Sequence, residues 1–331
     1  MKEHQFIAIG DTATDVFIRL EDDSGAKVSG TPDSPEYRIS LPFAAKIPYE
    51  SAITLPGVGN APNASVAAAK LGLHSSLVAH VGDDEPGKET IAVLEAQGVD
   101  TRFVLPEAGR HTNYSYILWY KEERTILRKH EDFSYALPDI GTPGWVYFSA
   151  VGAGANKFYD DFAAYAESHP EVKFAFQPGG NEISLGTTLR RFYDRADIFF
   201  CNVEEAGTIL GITTLGTKEL LKRMHDLGPK IVVITDGPNG AHAYDGNQMI
   251  NVPVYPDGLN AKERTGAGDA FASTTTAALA LGKDLSTALT WGAVNSASVV
   301  QYVGAQQGLL SISEIESRLS KAPNFKPVIL E

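Results

Sequence analysis

The sequence predicts an α/β protein, a mostly parallel sheet covered on both faces by helices, with a small second sheet projecting from it. Three observations predict this. Short apolar runs alternate with helical patterns along most of the chain. These runs lack the in–out alternation of a half-solvated sheet, as expected for strands buried on both faces. Two stretches, Asp15–Thr54 and Asn113–Lys129, break the alternation with β-like patterns of their own.

The strand-like runs, in order, are Phe6–Ile9, Ser76–His80, Val146–Ser149, Lys173–Phe176, Asp197–Cys201 and Lys230–Thr235. Between them lie the helical patterns Pro62–Leu71, Gly87–Gln97, Lys157–Ser168, Ser184–Arg195, Glu204–Leu210 and Lys218–Leu227. Asp15–Thr54 holds short β-like pieces, Val16–Leu20 and Tyr37–Leu41, among many Pro, Gly and Ser residues. Asn113–Lys129 alternates like a hairpin turning at Lys121–Glu123. Together they read as a lid. The last quarter turns helical over Ala267–Leu281, Asp284–Tyr302 and Ser313–Leu319. The whole of 1–331 reads as one domain, with lid segments at about 16–55 and 110–130 inserted into the α/β core. In a parallel sheet of this kind, ligands sit at the carboxyl ends of the strands.

The chain carries 28 basic and 41 acidic side chains, a formal charge of −13. That balance repels nucleic acid and anionic membrane, so neither is expected as a partner. It also repels phosphates, so a phosphate site has to be built locally from backbone amides and a few cations. Cys201 is alone and lies in an apolar run, which excludes an intramolecular disulfide. Met1–Gln5 leads directly into a strand-like run without a signal-peptide pattern, and no apolar stretch is long enough for a membrane span. A cytoplasmic protein is expected.

The most informative segment is Glu263–Phe271, reading Glu-Arg-Thr-Gly-Ala-Gly-Asp-Ala-Phe. Gly266, Ala267 and Gly268 lead straight into a helix, whose first amides are unpaired donors at the positive end of the helix dipole. Asp269 falls in the first helical turn, where it would accept a proton from a hydroxyl attacking an anion bound there. Taken bare, Thr265 or Asp269 is more simply read as a helix cap.

Two further segments decide between these readings. Gly57–Gly72 holds Gly57, Gly59, Asn60 and Asn63 ahead of an alanine-rich helix and is followed by Val81-Gly-Asp-Asp84. Asn202-Val-Glu-Glu205 follows a central strand. In this order and spacing, the three segments resemble the signatures of the ribokinase-like (PfkB) carbohydrate kinases, and the resemblance spans nearly the whole chain.

The resemblance implies a ribokinase-like three-layer α/β/α core with a β-sheet lid, and an ATP-dependent kinase acting on a small sugar or sugar-like substrate. Residue by residue, it implies Asp269 as catalytic base and the Gly266–Gly268 amides as the anion hole. It implies Asn202 and Glu205 as the group that organises Mg²⁺ through water, in keeping with the preference of Mg²⁺ for oxygen ligands. Read bare, the same pair is a strand-end Asn capping the next helix. Asp15, Gly59 and Asn63 are implied as contacts to the substrate, with Asp11 and Asn60 close enough to join them. Thr235, Gly237 and Gly240 resemble the nucleotide-side loop, Arg264 lies beside the anion hole, and Asn295 falls in the adenine region. Glu263 stands where the family usually has an Asp that helps hold a monovalent cation, K⁺.

The chain departs from the family pattern at Asn113, where the lid normally has Gly, and at Gln177, where an Asp is common. A nucleoside kinase remains open beside the sugar kinase. So does an inactive, ligand-sensing relative, although the retained Asp269, Asn202 and Glu205 speak against it. Sugar phosphates are disfavoured because the substrate-side motif has no basic cluster, although Arg124, Arg128 and Lys129 lie in the lid. A homodimer through the lid is expected from the resemblance and from the exposed edges of small sheets.

Several patterns mislead. Gly82–Lys88 has the glycine and lysine spacing of a P-loop, but Glu89 replaces the Mg²⁺-binding hydroxyl and acids fill the loop. Gly57-x-Gly59 and Gly152-x-Gly154 lack the third glycine of a dinucleotide fingerprint. The eight histidines show no ligand spacing.

Overall fold

A computed structural model describes residues 4–330 except 32, 33, 35, 122 and 213. Met1–Glu3 of the amino-terminal segment and Glu122 of the expected hairpin turn lie outside the described residues.

A ten-stranded sheet forms the centre. In spatial order it runs Val328–Leu330, Met249–Val252, Ala241–Tyr244, Val232–Thr235, Ile198–Asn202, Lys173–Phe176, Trp145–Phe148, Phe6–Ile9, Ser75–Gly82 and Val104–Glu107. From Val232–Thr235 to Val104–Glu107 all neighbours are parallel, while the three strands at the other edge pair antiparallel. All six expected strands are present. Val104–Glu107, Ala241–Tyr244, Met249–Val252 and Val328–Leu330 were not anticipated; three or four residues long and near the sheet edges, they carry too little pattern to read.

Strand Phe6–Ile9 shows how the layers arise. Phe6 and Ala8 join a core with helices Asn60–Lys70, Ala267–Ala280 and Leu285–Val299. Ile7 and Ile9 join the opposite core with helices Asn156–Ser168, Val203–Leu210 and Thr217–His225. Period-two alternation thus feeds two apolar faces at once. The expected single helix Ser184–Arg195 is broken into Gly180–Leu185, a 3₁₀ turn and Arg190–Arg195. Gly186 at φ +53° sits at the break. Helix Leu285–Val299 also stops short of the expected Tyr302.

The segments expected to form a lid make a four-stranded sheet ordered Tyr49–Val58, Ala13–Leu20, Asn113–Tyr120, Glu123–Lys129. The expected piece at Tyr37–Leu41 does not join it: Arg38–Ser40 pairs with Lys27–Ser29 as a separate ribbon. In the lid, Asp15, Phe17 and Arg19 share one face, set by the strand period. Among the described residues, no helix is long and apolar enough to cross a membrane.

Candidate active site

The carboxyl ends of the parallel strands deliver the site. Asp11 follows Phe6–Ile9, Gln177 follows Lys173–Phe176, Asn202 ends Ile198–Asn202 and Thr235 ends Val232–Thr235. Helix Ala267–Ala280 points its amino terminus at this edge from Gly266, which holds φ +80°. A β-carbon at Gly266 would meet the Ala305 Cβ at 2.2 Å, so backbone and packing both require glycine there. A β-carbon at Gly268 would meet nothing, because that position faces open space. Ala267 N–H reaches back to Arg264 O at 3.4 Å, whereas the Gly268 and Asp269 amides have no acceptor among the described residues. These are the donors an anion would take.

Asp269 is half-buried, and both of its oxygens are engaged. Asn63 Nδ2 donates to Oδ2 at 2.9 Å and Gln177 Nε2 to Oδ1 at 3.0 Å. Burial pushes the carboxyl above its ordinary range, while the two amide donors pull the other way. Both donors are themselves fixed. The Tyr147 hydroxyl donates to Gln177 Oε1, which turns the amide so that its NH₂ faces Asp269. Gln306 Nε2 donates to Asn63 Oδ1 at 3.0 Å and to Gly57 O at 2.7 Å, and Gln97 Nε2 donates to Gln306 Oε1 at 2.9 Å. Tyr147, Gln97 and Gln306 carry no signal in the sequence that links them to Asp269.

On the lid side, Asp15 is half-buried and lies across from Ser115, its register partner. Burial raises its carboxyl, and the nearby Glu263 adds to that. Asp11 accepts from the Tyr135 hydroxyl at 2.9 and 3.0 Å, and the Gly152 amide donates to the same hydroxyl. Gly59 caps the helix at φ +129°, with room for no β-carbon against Asp11 O at 2.9 Å; Asn60 opens the helix. Asn113 is spent on lid structure, donating to Thr12 O and accepting from Glu131 N–H.

Asn202 and Glu205 form a reciprocal capping box. Asn202 Oδ1 accepts from Glu205 N–H at 2.8 Å, and Glu205 Oε2 accepts from Asn202 N–H at 2.9 Å. The capping reading of the sequence therefore holds, and it leaves Glu205 Oε1 without a protein partner among the described residues. Burial raises the Glu205 carboxyl, as do the Asp269 and Glu204 charges.

A cavity of about 660 Å³ adjoins this edge. Its lining includes Asn202, Thr235, Gly237, Gly240, Arg264 and Gly268 together with the apolar Val252, Phe271, Ala293, Ala297 and Val300. The size suits a nucleotide. Asn295 does not reach it, which corrects the expected adenine contact. It is fully buried, donating to Thr274 Oγ1 at 2.7 Å and accepting from Leu310 N–H at 3.0 Å. Ala293, Ser296, Ala297 and Val300 share the helix face that lines the cavity, and Asn295, two residues or about 200° from Ala293, points away.

Glu263 is buried beneath the anion-facing loop. Its Oε1 accepts from Thr265 N–H at 2.8 Å, Thr265 Oγ1 at 2.6 Å and Arg124 Nη1 at 2.8 Å, the last reaching over from the lid. Its Oε2 is sealed from solvent with no hydrogen-bond partner among the described residues.

Residues 36–312 match the family model described as pfkB family carbohydrate kinase. Among curated relatives, the chain is 24% identical over 333 residues to the nucleoside kinase of Methanothermobacter thermautotrophicus, covering 99% of each. It is 28% identical over 273 residues to the ribokinase of Bacillus subtilis, covering 81% of this chain and 88% of that one. Its fold is similar to that of Arabidopsis thaliana ribokinase complexed with ribose and ATP, with TM-score 0.76, 19% identity and coverage of 96% and 98%.

Proposed function

Because the chain belongs to the pfkB family of carbohydrate kinases, we propose that it moves the γ-phosphate of ATP to a primary hydroxyl of a small sugar or sugar-like acceptor. The observation that carries this reading is the half-buried Asp269 carboxylate, one residue beyond the open Gly268 position of a helix start that borders a nucleotide-sized cavity.

In phosphoryl transfer the protein mainly positions groups and offsets charge. The acceptor hydroxyl loses its proton to Asp269 as it attacks, with Asn63 and Gln177 holding the carboxylate in place. The free Gly268 and Asp269 amides, with Ala267 beside them, face the transferred group and stabilise its charge. Asp15 and Asp11, with Gly59, Asn60 and Asn63 around them, orient the acceptor's other hydroxyls. Thr235, Gly237 and Gly240 take the phosphates, and the Ala293–Val300 face takes the base.

The free Glu205 Oε1 suits a hard divalent cation, and a cation there relieves repulsion between the Glu205 and Asp269 carboxylates. Glu205, beside Asn202, would hold Mg²⁺ through water, and the ion would supply charge neutralisation to the phosphates. The orphaned Glu263 Oε2 likewise suits K⁺, while Arg124 meets the other oxygen of the same carboxylate. Exposed Tyr116 and Leu127 on the outer face of the lid support pairing with a second copy, which sedimentation measures.

A nucleoside acceptor is the second reading, supported by the likeness to the Methanothermobacter enzyme along both full lengths. Fructose, ribose, ketodeoxygluconate, adenosine, inosine and cytidine, each with ATP and coupled detection of ADP, separate the two. ADP formation with none of them and with no phosphorylated sugar or sugar acid, alongside intact ATP binding, would favour an inactive, ligand-sensing relative.

A further inference from the structure

A second cavity, of about 760 Å³, lies between the inner face of the lid and residues 261–264. Its lining holds the cations Arg19, Lys121, Arg124, Lys262 and Arg264 against the carboxylates of Glu123 and Glu263. Among the described residues that is five positive groups against two negative, in a chain whose formal charge is −13. Such a local surplus runs against the average of the molecule and focuses field into a cleft.

Three of the five already have partners: Arg124 pairs with Glu263 at 2.8 Å, Arg19 pairs with Glu50 at 2.7 Å while lying 4.7 Å over the Trp119 ring, and Lys121 Nζ lies 5.5 Å over the Tyr120 ring. Lys262 and Arg264 pair with no carboxylate among the described residues. ATP does not account for the surplus. Arg264 borders the nucleotide cavity as well, but Arg19, Lys121, Arg124 and Lys262 line the cavity under the lid and do not border the nucleotide cavity. That cavity continues the acceptor side: Phe17 and Arg19 lie on the same strand face as Asp15, and each pair of residues advances about 6.6 Å.

We propose that the acceptor itself carries an anionic group, a carboxylate or a phosphate, seated under the lid against Lys262 and Arg264. The proposal rests on the kinase reading and reverses the sequence-based disfavour of sugar phosphates. That disfavour came from the absence of a basic cluster near Gly57–Asn63; the cations come together only in space, from the lid strands and the 261–264 loop. Arg264, bordering both cavities, faces the acceptor's charge and the transferred phosphoryl group together.

The test uses the full chain with ATP and Mg²⁺ and coupled ADP detection, comparing fructose with fructose 6-phosphate and glucose with gluconate. Within each pair the anion is expected to be the better acceptor, and the two pairs distinguish phosphate from carboxylate. Lys262→Ala should raise KM for the preferred anion about tenfold or more, Lys262→Glu further, and Lys262→Arg should largely restore it, with KM for ATP changed less than about twofold. The Lys262 side chain is exposed, so these variants are expected to fold. Preference for the neutral member of each pair, or a KM for the anion that ignores Lys262, overturns the proposal and leaves the kinase reading standing. Absence of ADP formation with every acceptor overturns both.

Discussion

Replacing Asp269 by asparagine keeps the size of the side chain and removes its ability to take a proton. General-base help is worth about 10²–10⁴-fold, or about 2.7–5.5 kcal/mol at 1.36 kcal/mol per decade. The hydrogen bonds around it indicate a second, smaller effect. Asn63 Nδ2 and Gln177 Nε2 both donate to Asp269, so the new NH₂ must face one of these donors. Neither neighbour can flip freely, because Gln306 donates to Asn63 Oδ1 and Tyr147 to Gln177 Oε1. One unmet donor costs about 1–3 kcal/mol. Losing a buried charge, whose carboxyl burial already pushes up, offsets part of that cost. The variant is therefore expected to fold, to melt within a few degrees of the parent, and to bind ATP. Coupled ADP detection should then show kcat lower by about two to four decades with KM for ATP changed less than about twofold. A folded variant with kcat within about tenfold of the parent would refute Asp269 as the base.

The acid limb of kcat/KM should report the raised Asp269 carboxyl, with activity lost as pH falls through it. Gln177→Ala removes a donor that lowers it, so the limb should move to higher pH; movement the other way would contradict the geometry. Glu205→Gln should raise the Mg²⁺ concentration for half-maximal rate about tenfold in a metal titration, with the capping box kept. Gly266→Ala should destabilise by more than about 2 kcal/mol in denaturant unfolding, since φ +80° and the Ala305 contact both oppose a β-carbon; an unchanged midpoint would refute this. Replacing K⁺ with tetramethylammonium should lower kcat several-fold, and equal rates would show that Arg124 alone meets the Glu263 charge.

Much of the architecture was legible because its signals are local. A buried parallel strand declares itself in four or five residues, as Phe6–Ile9 does, and Gly266 marks a left-handed turn that few other residues tolerate. The expected site residues also come from strand ends and helix starts, which sequence periodicity marks. Asn295 shows where that logic stops. Its position in the chain was suitable, but the rotation of its helix turned it into the core, and two residues of offset amount to about 200°.

The sequence by itself determined the layered α/β class, the glycine-lined helix start and the carboxylate that opens it, because each depends on the conformational preferences of neighbouring residues. Tertiary structure alone decided which groups hold that carboxylate, since Asn63 lies 206 positions away and Gln177 lies 92 away. It also decided that Arg124 of the lid meets Glu263, 139 positions on, and that cations scattered along an acidic chain line one cavity. Pairings at such separations leave no periodic trace, because they depend on how the strands and helices stack and not on the local turn of the backbone.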